Sequence, residues 1–249
     1  MNKAFHTGAS GLMAYQNGID VIANNVSNSN TVGYKATKSE FRELISTEMD
    51  INKNKSLEED ARVLAGNGVK FLGQDLLFTS GVLKPSQYDL DFAISGEGLF
   101  AVQGDGRIEY TRNGCFNLSV EAGGSYLVDS EGRYVLDDNY QRIVVPHDVE
   151  TNAPDTDEVA DMLGVFSFSN PYGLAKVDST NFVATDISGA AQPADGQLYT
   201  VLQSVTEASN VSLAQEMSNL IVTQRSYQFC AKIVTTADEI EQLVNSLRA

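Results

Sequence analysis

The chain has no tryptophan, two cysteines, two histidines, 17 basic side chains against 33 acidic ones, and no run of 18 apolar residues. Each shortage removes a class of function. Without tryptophan there is no indole platform for a sugar ring to stack on, and the many carboxylates make chance acid pairs unavoidable, so a secreted carbohydrate-active or carbohydrate-binding domain is only a remote alternative. Cys115 and Cys230 belong to no Cys-x-x-Cys or Cys/His ligand pattern and read as two unpaired thiols. Any Ser/His/Asp or Cys/His centre would have to use His6 or His147, and neither lies in a nucleophile signature. A net charge of −16 argues against nucleic acid and anionic membrane, since phosphate recognition needs clustered Lys and Arg. The lack of a long apolar run predicts no membrane insertion, and the N-terminus lacks the basic start and apolar core of a Sec-type signal.

Two weaker motifs also resolve without chemistry. Gly96-Glu97-Gly98 and Gly104-Asp105-Gly106 open no helix and precede no Lys-Ser/Thr, so they read as turns rather than a phosphate cradle. Asp155, Asp157, Glu158 and Asp161 lack the glycine and closing glutamate of an EF-hand loop and read as a solvated acidic loop. No enzymatic activity, cofactor or metal is expected.

What the sequence does contain is an uneven distribution of charge. Between positions 1 and 34 the only charged side chains are Lys3 and Asp20, and between 208 and 237 only Glu216, Arg225 and Lys232. Phe5, Gly8, Leu12, Tyr15, Ile19, Ile22 and Val26 alternate steps of three and four, the spacing of one helical seam. Leu213, Met217, Leu220, Gln224, Tyr227, Ala231 and Val234 do the same, and Ala237, Ile240, Val244 and Leu247 continue after a three-residue slip, predicting a helix over 209–247 on the order of 60 Å long. A surface helix normally carries a charged, solvated face. These two offer Ala, Ser, Asn, Gln and Gly there, which points to burial by other copies of the chain. Gly8, Gly11 and Gly18 each cost about 1 kcal/mol of helix stability relative to Ala, so the first helix is expected to be weak alone.

The middle has another period. Strand-like runs occur at 89–94, 99–102, 107–111, 126–128, 134–136, 142–145, 163–168 and 181–184, with turns between them. The segment 39–65 reads as helix or ordered linker, with Phe41, Leu44, Ile45 and Met49 at helical spacing. The fold class is therefore α+β: long N- and C-terminal helices pairing as a coiled-coil-like inner domain, with an inserted all-β outer domain. The expected divisions are 1–38, 39–84, 85–200 and 201–249.

Ala23-Asn24-Asn25-Val26-Ser27-Asn28-Ser29-Asn30-Thr31-Val32-Gly33-Tyr34-Lys35 resembles the N-terminal signature of the bacterial flagellar rod and hook axial proteins. Glu207-Ala208-Ser209-Asn210-Val211, Glu216-Met217, Gln224-Arg225-Ser226-Tyr227 and Thr235-Thr236-Ala237-Asp238-Glu239 resemble its C-terminal counterpart. Ile94-Ser95-Gly96-Glu97-Gly98-Leu99-Phe100-Ala101-Val102 and Tyr110-Thr111-Arg112-Asn113-Gly114-Cys115-Phe116 are similar to the opening of that family's β domain. The resemblance implies a structural subunit that self-assembles through its terminal helices into a tube of the basal body, with the β domain outward. At this length a distal rod subunit is favoured, with a proximal rod or hook-type subunit as the alternative. It further implies other rod and hook proteins as partners, a place on the rod outside the cytoplasmic membrane, and exit through the flagellar type III export apparatus. Phe41-Arg42-Glu43-Leu44-Ile45 resembles the Phe-x-x-x-apolar element read by the export gate; the other reading is an amphipathic turn packing Phe41 and Ile45 inward.

Asn24, Asn25, Asn28 and Asn30 suit a helix end and turn, and Gly33 permits positive φ there. Asn24, Asn25, Asn28, Thr31, Gly33 and Tyr34 are thus the candidate turn, expected to set the angle at which the first helix leaves. On that reading Gly33→Val stops assembly while leaving the β domain folded.

Overall fold

The computed structural model describes residues 3–48, 64–104, 106–121, 124–146, 158–196 and 199–248. In chain order the elements begin with α1 (Lys3–Ser27), β1 (Thr37–Glu43), β2 (Thr47–Glu48), β3 (Leu64–Ala65) and β4 (Val69–Leu76). Then come β5 (Leu83–Pro85), β6 (Phe92–Gly96), β7 (Leu99–Gln103), β8 (Ile108–Thr111), β9 (Asn117–Glu121), β10 (Gly124–Val128), β11 (Tyr134–Val135) and β12 (Val144–Val145). After α2 (Val159–Met162) follow β13 (Val165–Ser167), β14 (Ala175–Lys176), β15 (Asn181–Val183), β16 (Gln192–Pro193), β17 (Tyr199–Gln203), β18 (Val205–Glu207) and α3 (Leu213–Arg248). The fold is α+β, with helices at both ends and a β-rich centre. It divides into a helical unit, Met1–Val26, Thr37–Asp75 and Ser212–Ala249, and a β-rich unit, Ser27–Ala36 and Leu76–Val211.

In the helical unit, α1 buries Gly8, Gly11, Ala14, Gly18, Val21, Ile22 and Asn25. The glycines that weaken the isolated helix are the points of closest approach. A Cβ at Gly8 would lie 2.9 Å from Val234 Cγ2, and one at Gly11 would lie 2.8 Å from Cys230 Sγ. At Gly18 it would lie 2.9 Å from Phe41 Cζ and 3.6 Å from Thr223 Cγ2. Rising numbers in α1 meet falling numbers in α3, so the two run antiparallel here. α3 extends for 36 residues without Gly or Pro, about 54 Å at 1.5 Å per residue. Its uncharged polar side chains serve its own backbone: the Thr223 hydroxyl donates to Asn219 O at 2.7 Å and that of Ser226 to Val222 O at 3.1 Å.

The helical reading of 39–65 is overturned within the described residues. Residues 37–43 form β1, which pairs with β4, and β2 pairs with β3 in the register Thr47↔Ala65 and Glu48↔Leu64. Met49 and the polar run after it lie outside the described residues. Phe41 and Leu44 do fall at helical spacing, but pairing with a strand more than twenty residues away outweighs so short a local pattern.

The β-rich unit is organised by β7. Within its main sheet the order β12-β10-β11-β7-β8-β15-β14 places β7 between β11 and β8, and β13 also pairs with it. Alternate side chains of a strand point to opposite faces. Phe100 and Val102 accordingly enter one core with Phe92, Phe116, Leu127 and Val165, while Leu99 and Ala101 enter a second with Tyr110, Phe166 and Phe182. Burial on both faces explains why 99–102 reads as a continuous apolar run rather than an alternating one. The β7–β8 hairpin turns at Gly104, whose N–H donates to Arg107 O at 3.1 Å.

Candidate functional site

Three charged residues from distant parts of the sequence converge inside the β-rich unit. Glu207 Oε1 accepts from Lys35 Nζ at 2.8 Å, and its Oε2 accepts from Arg112 Nε at 2.5 Å. The side chains are 1%, 2% and 5% exposed, respectively. The remaining hydrogen-bonding capacity goes to backbone. Gly81 N–H donates to Glu207 Oε1, Lys35 Nζ to Thr79 O, and the Arg112 guanidinium to the carbonyls of Ile94, Gly96 and Gly98, which fixes the turn between β6 and β7. Burial pushes the Glu207 carboxyl up, but the charges of Arg112 and Lys35 and their hydrogen bonds outweigh it and hold it below the usual carboxylate range. Burial pulls the Lys35 ammonium down, helped by the charge of Arg112, further than Glu207 restores it. One carboxylate between two cations accounts for both directions.

The same node fastens two stretches of backbone. Residues 33–36 follow α1 in sequence, and residues 207–210 precede α3. Gly33 N–H donates to Glu207 O at 2.8 Å, Ala36 N–H donates to Asn210 Oδ1 at 2.7 Å, and Asn210 Nδ2 donates to Leu77 O and Thr79 O at 2.8 and 3.0 Å. Sequence reading had all three ionic residues inside its signatures without pairing them. The available signal was that Lys35 and Glu207 are the charges closing two otherwise nearly uncharged stretches.

The candidate turn is built from side-chain amides. Asn25 is buried, donating from Nδ2 to Thr37 O at 2.7 Å and accepting Thr37 N–H on Oδ1 at 3.0 Å. Asn28 accepts from Thr31 on both its backbone and its side-chain oxygen, at 3.2 Å each. Asn24 is exposed. Gly33 has φ +70°, and a Cβ there would lie 2.4 Å from Asn113 N. Tyr34 is 1% exposed, with the Lys176 ammonium 4.2 Å from its ring centre.

The candidate seam residues are distributed unevenly. On α1, Ile22 is buried, Leu12, Tyr15, Ile19 and Val26 are half-buried, and Phe5 is exposed. On α3, Leu220 and Val234 are half-buried, whereas Leu213, Met217, Tyr227, Ile240, Val244 and Leu247 are exposed. Phe41 packs between Tyr15 and Phe71, with ring centres 5.8 and 6.1 Å away, while Ile45 is 89% exposed. Phe41 itself stays 41% exposed beside those two rings, so the structure does not pack the pair inward as a turn.

The Cys115 thiol is pushed up to about 12 by burial and by Asp91, far from thiolate reactivity. Among the described residues no His, Cys, Asp and Glu group could hold a metal ion, and no helix is long and apolar enough to cross a membrane.

Three family models match the chain: "Flagella basal body rod protein" over residues 5–35, "Flagellar hook protein FlgE/F/G D1 domain" over 93–157, and "Flagellar basal body rod FlgEFG protein C-terminal" over 202–247. The flagellar basal-body rod protein FlgG of Borreliella burgdorferi is 32% identical over 270 residues, covering 100% of this chain and 99% of the relative. FlgG of Bacillus subtilis is 31% identical over 273 residues, with both chains covered completely. The flagellar hook-basal body complex protein FlhP of the same organism is 29% identical over 270 residues, again with complete coverage of both. None of these names denotes a catalyst. The chain belongs to the flagellar basal-body rod FlgEFG family.

Proposed function

We propose that this chain is a structural subunit of the bacterial flagellar rod, of the distal type, that polymerises through its terminal helices into a tube carrying torque from motor to hook. The observation that carries this reading is the apolar surface of α3. Leu213, Met217, Ile240, Val244 and Leu247 are 47%, 52%, 50%, 50% and 86% exposed along α3, which meets α1 only through residues such as Thr223, Cys230 and Val234. Fully burying such a side chain yields about 1.5 to 3 kcal/mol. Part of that gain offsets the ordering of weak helices, at roughly 1 to 2 kcal/mol per residue, so assembly is cooperative and an isolated monomer stays monomeric.

The candidate seam and turn residues are the assembly determinants in this reading. Other rod and hook axial proteins are the end-to-end neighbours, and the subunit reaches the rod, outside the cytoplasmic membrane, through the flagellar type III export apparatus. If Phe41 and Ile45 are read by the export gate, they are read before β1 forms, because Phe41 is engaged with Tyr15 and Phe71 once folded. The full-length similarity to a hook-basal body complex protein favours a proximal or hook-type axial subunit as the second reading. Electron microscopy of purified basal bodies carrying a labelled copy tests both. Label on the distal rod is expected; label on the proximal rod or hook selects the second reading, and no label on the axis overturns both.

A further inference from the structure

We propose that the β-rich units of two copies lock head to tail, the turn that carries Tyr88 and Asp89 in one copy entering a cavity at the other end of β6 in the next. The inference rests on the rod-subunit reading and adds to it a contact made outside the terminal helices.

The cavity, of about 460 Å³, lies beside the turn from β6 to β7 and is lined in part by Phe78, Phe168 and Tyr172. Lys35 and Arg112 line it too, whereas Glu207 between them does not. Two cations against one carboxylate leave this node with a positive excess. Lys35 donates two hydrogen bonds and Arg112 four, so one N–H of each has no acceptor among the described residues. Glu97 at the rim is exposed, and solvent screens its charge. Tyr172 is 67% exposed and meets Phe78 edge-on, with ring centres 6.1 Å apart, which leaves aromatic surface open to a further ring. A site of this size and lining suits an aromatic ring carried next to a carboxylate.

The chain presents that combination on its own surface. Tyr88 is 74% exposed, and Asp89 beside it is exposed as well. Their turn is tied down at several points: Asp91 N–H donates to Tyr88 O at 3.3 Å, Tyr88 N–H to Ser86 Oγ at 3.3 Å, the Ser86 hydroxyl to Asp91 Oδ2, and Gln203 Nε2 to Asp89 O at 3.1 Å. A side chain presented on backbone that is already fixed loses little entropy on docking, and Tyr is among the residues that most often anchor interfaces. The turn precedes β6 and the cavity follows it. Phe92 and Gly96, the two ends of that strand, stand about 13 Å apart at roughly 3.3 Å per residue, so the turn does not fill the cavity of its own copy. A donor at one end of a strand and an acceptor at the other make a heterologous contact, which repeats from copy to copy without closing. The positive excess at the cavity and the carboxylate beside Tyr88 give the two surfaces opposite charge.

Disulfide trapping in assembled rods tests the contact. Gln87 and Glu97 are both exposed, the first beside Tyr88 and the second at the cavity rim. Oxidised hook–basal bodies carrying Gln87→Cys and Glu97→Cys together are expected to give a ladder of cross-linked multimers, and either variant alone none. Rods without a ladder overturn the inference and leave the rod reading intact; absence of the unaltered chain from purified basal bodies overturns the rod reading itself. Dimers from either single variant also overturn the inference, because they mark a self-paired contact, and a cross-link to a different basal-body protein does so by giving the cavity another occupant. As a companion measurement, Tyr88→Ala removes a side chain that is three-quarters exposed within the subunit. Unfolding in urea should be unchanged while rods per cell fall at least tenfold with subunit in the culture medium, and normal rod numbers overturn the proposal.

Discussion

Lys35 Nζ lies 2.8 Å from Glu207 Oε1, a buried ion pair between residues 172 positions apart in sequence. Arg112 completes the node from the other carboxylate oxygen. Desolvating three charges is expensive, and a buried ion pair is weak evidence of net stability, but removing one partner leaves the others uncompensated. The arrangement gives a single position to the backbone at 33–36 and to the end of β18 at Glu207 within the β-rich unit.

Glu207→Ala is expected to destabilise the β-rich unit by about 3 to 5 kcal/mol, because it strands two cations at once. Urea unfolding followed by tyrosine near-ultraviolet circular dichroism measures this without tryptophan. A loss under about 1 kcal/mol, the scale of a surface pair, would show the node to be solvated.

The same node sets an acid limit. Glu207 is held below the usual carboxylate range, so its stabilisation is fully present above the unfolded value, about 4.3, and is lost as pH falls through its folded value. Glu109 acts in the same direction: burial raises it, but hydrogen bonds from Asn181 and Arg107 and the charge of Arg133 prevail. Glu131 is lifted by burial, against Arg133, and by neighbouring Asp178; it works the other way, but its side chain is 56% exposed and screened. The midpoint of thermal unfolding should therefore drop steeply below about pH 5, with a shallower slope in Glu207→Gln. Identical slopes in the two proteins would remove Glu207 from the account.

At Gly11 two effects compete. Alanine gains about 1 kcal/mol of helix propensity, but its Cβ would stand 2.8 Å from Cys230 Sγ, and overpacking typically costs about 1 to 3 kcal/mol. Gly11→Ala should lower helical stability, and adding Cys230→Ala should reverse the loss. A double-mutant cycle by far-ultraviolet circular dichroism reads the coupling, and a coupling near zero would mean that the helices do not meet at this point.

Gly33→Val was expected from sequence to spare the β domain. The structure corrects this, because Gly33 lies in the β-rich unit at φ +70° with its absent Cβ 2.4 Å from the backbone of Asn113. Even Gly33→Ala should cost that unit roughly 2 kcal/mol or more, from left-handed strain together with the clash. Unchanged urea unfolding of the variant would contradict the close approach.

Leu220→Asp places a charge on the half-buried side of α3. Secretion of the subunit should persist while rods fail to form, as scored by subunit in the medium and microscopy of basal bodies. Motile cells with normal rods would show that Leu220 lies outside the assembly contacts.

Much of this organisation was legible in the chain. Helices at both ends followed from the spacing of apolar residues and the near absence of charge, and β7 from the run at 99–102, because these are local, periodic signals. The paired strands β1 and β4 were missed for the opposite reason: neither pattern is strong alone, and each is decided by its partner. Strands β17 and β18 were missed likewise, since β6 and β5 complete them from more than a hundred residues earlier.

The sequence by itself determined that the two ends are helical and that residues 1–34 and 208–237 are sparsely charged, because composition and period act residue by residue. Only the tertiary structure decided which face of each helix is spent within the chain. Gly8, Gly11 and Gly18 look like defects in a helix until Val234, Cys230 and Phe41 occupy the space that their missing side chains leave. It likewise decided that Lys35, Arg112 and Glu207 share one buried site. Charge pairing depends on distance in space, and no spacing along the chain encodes a contact made by folding.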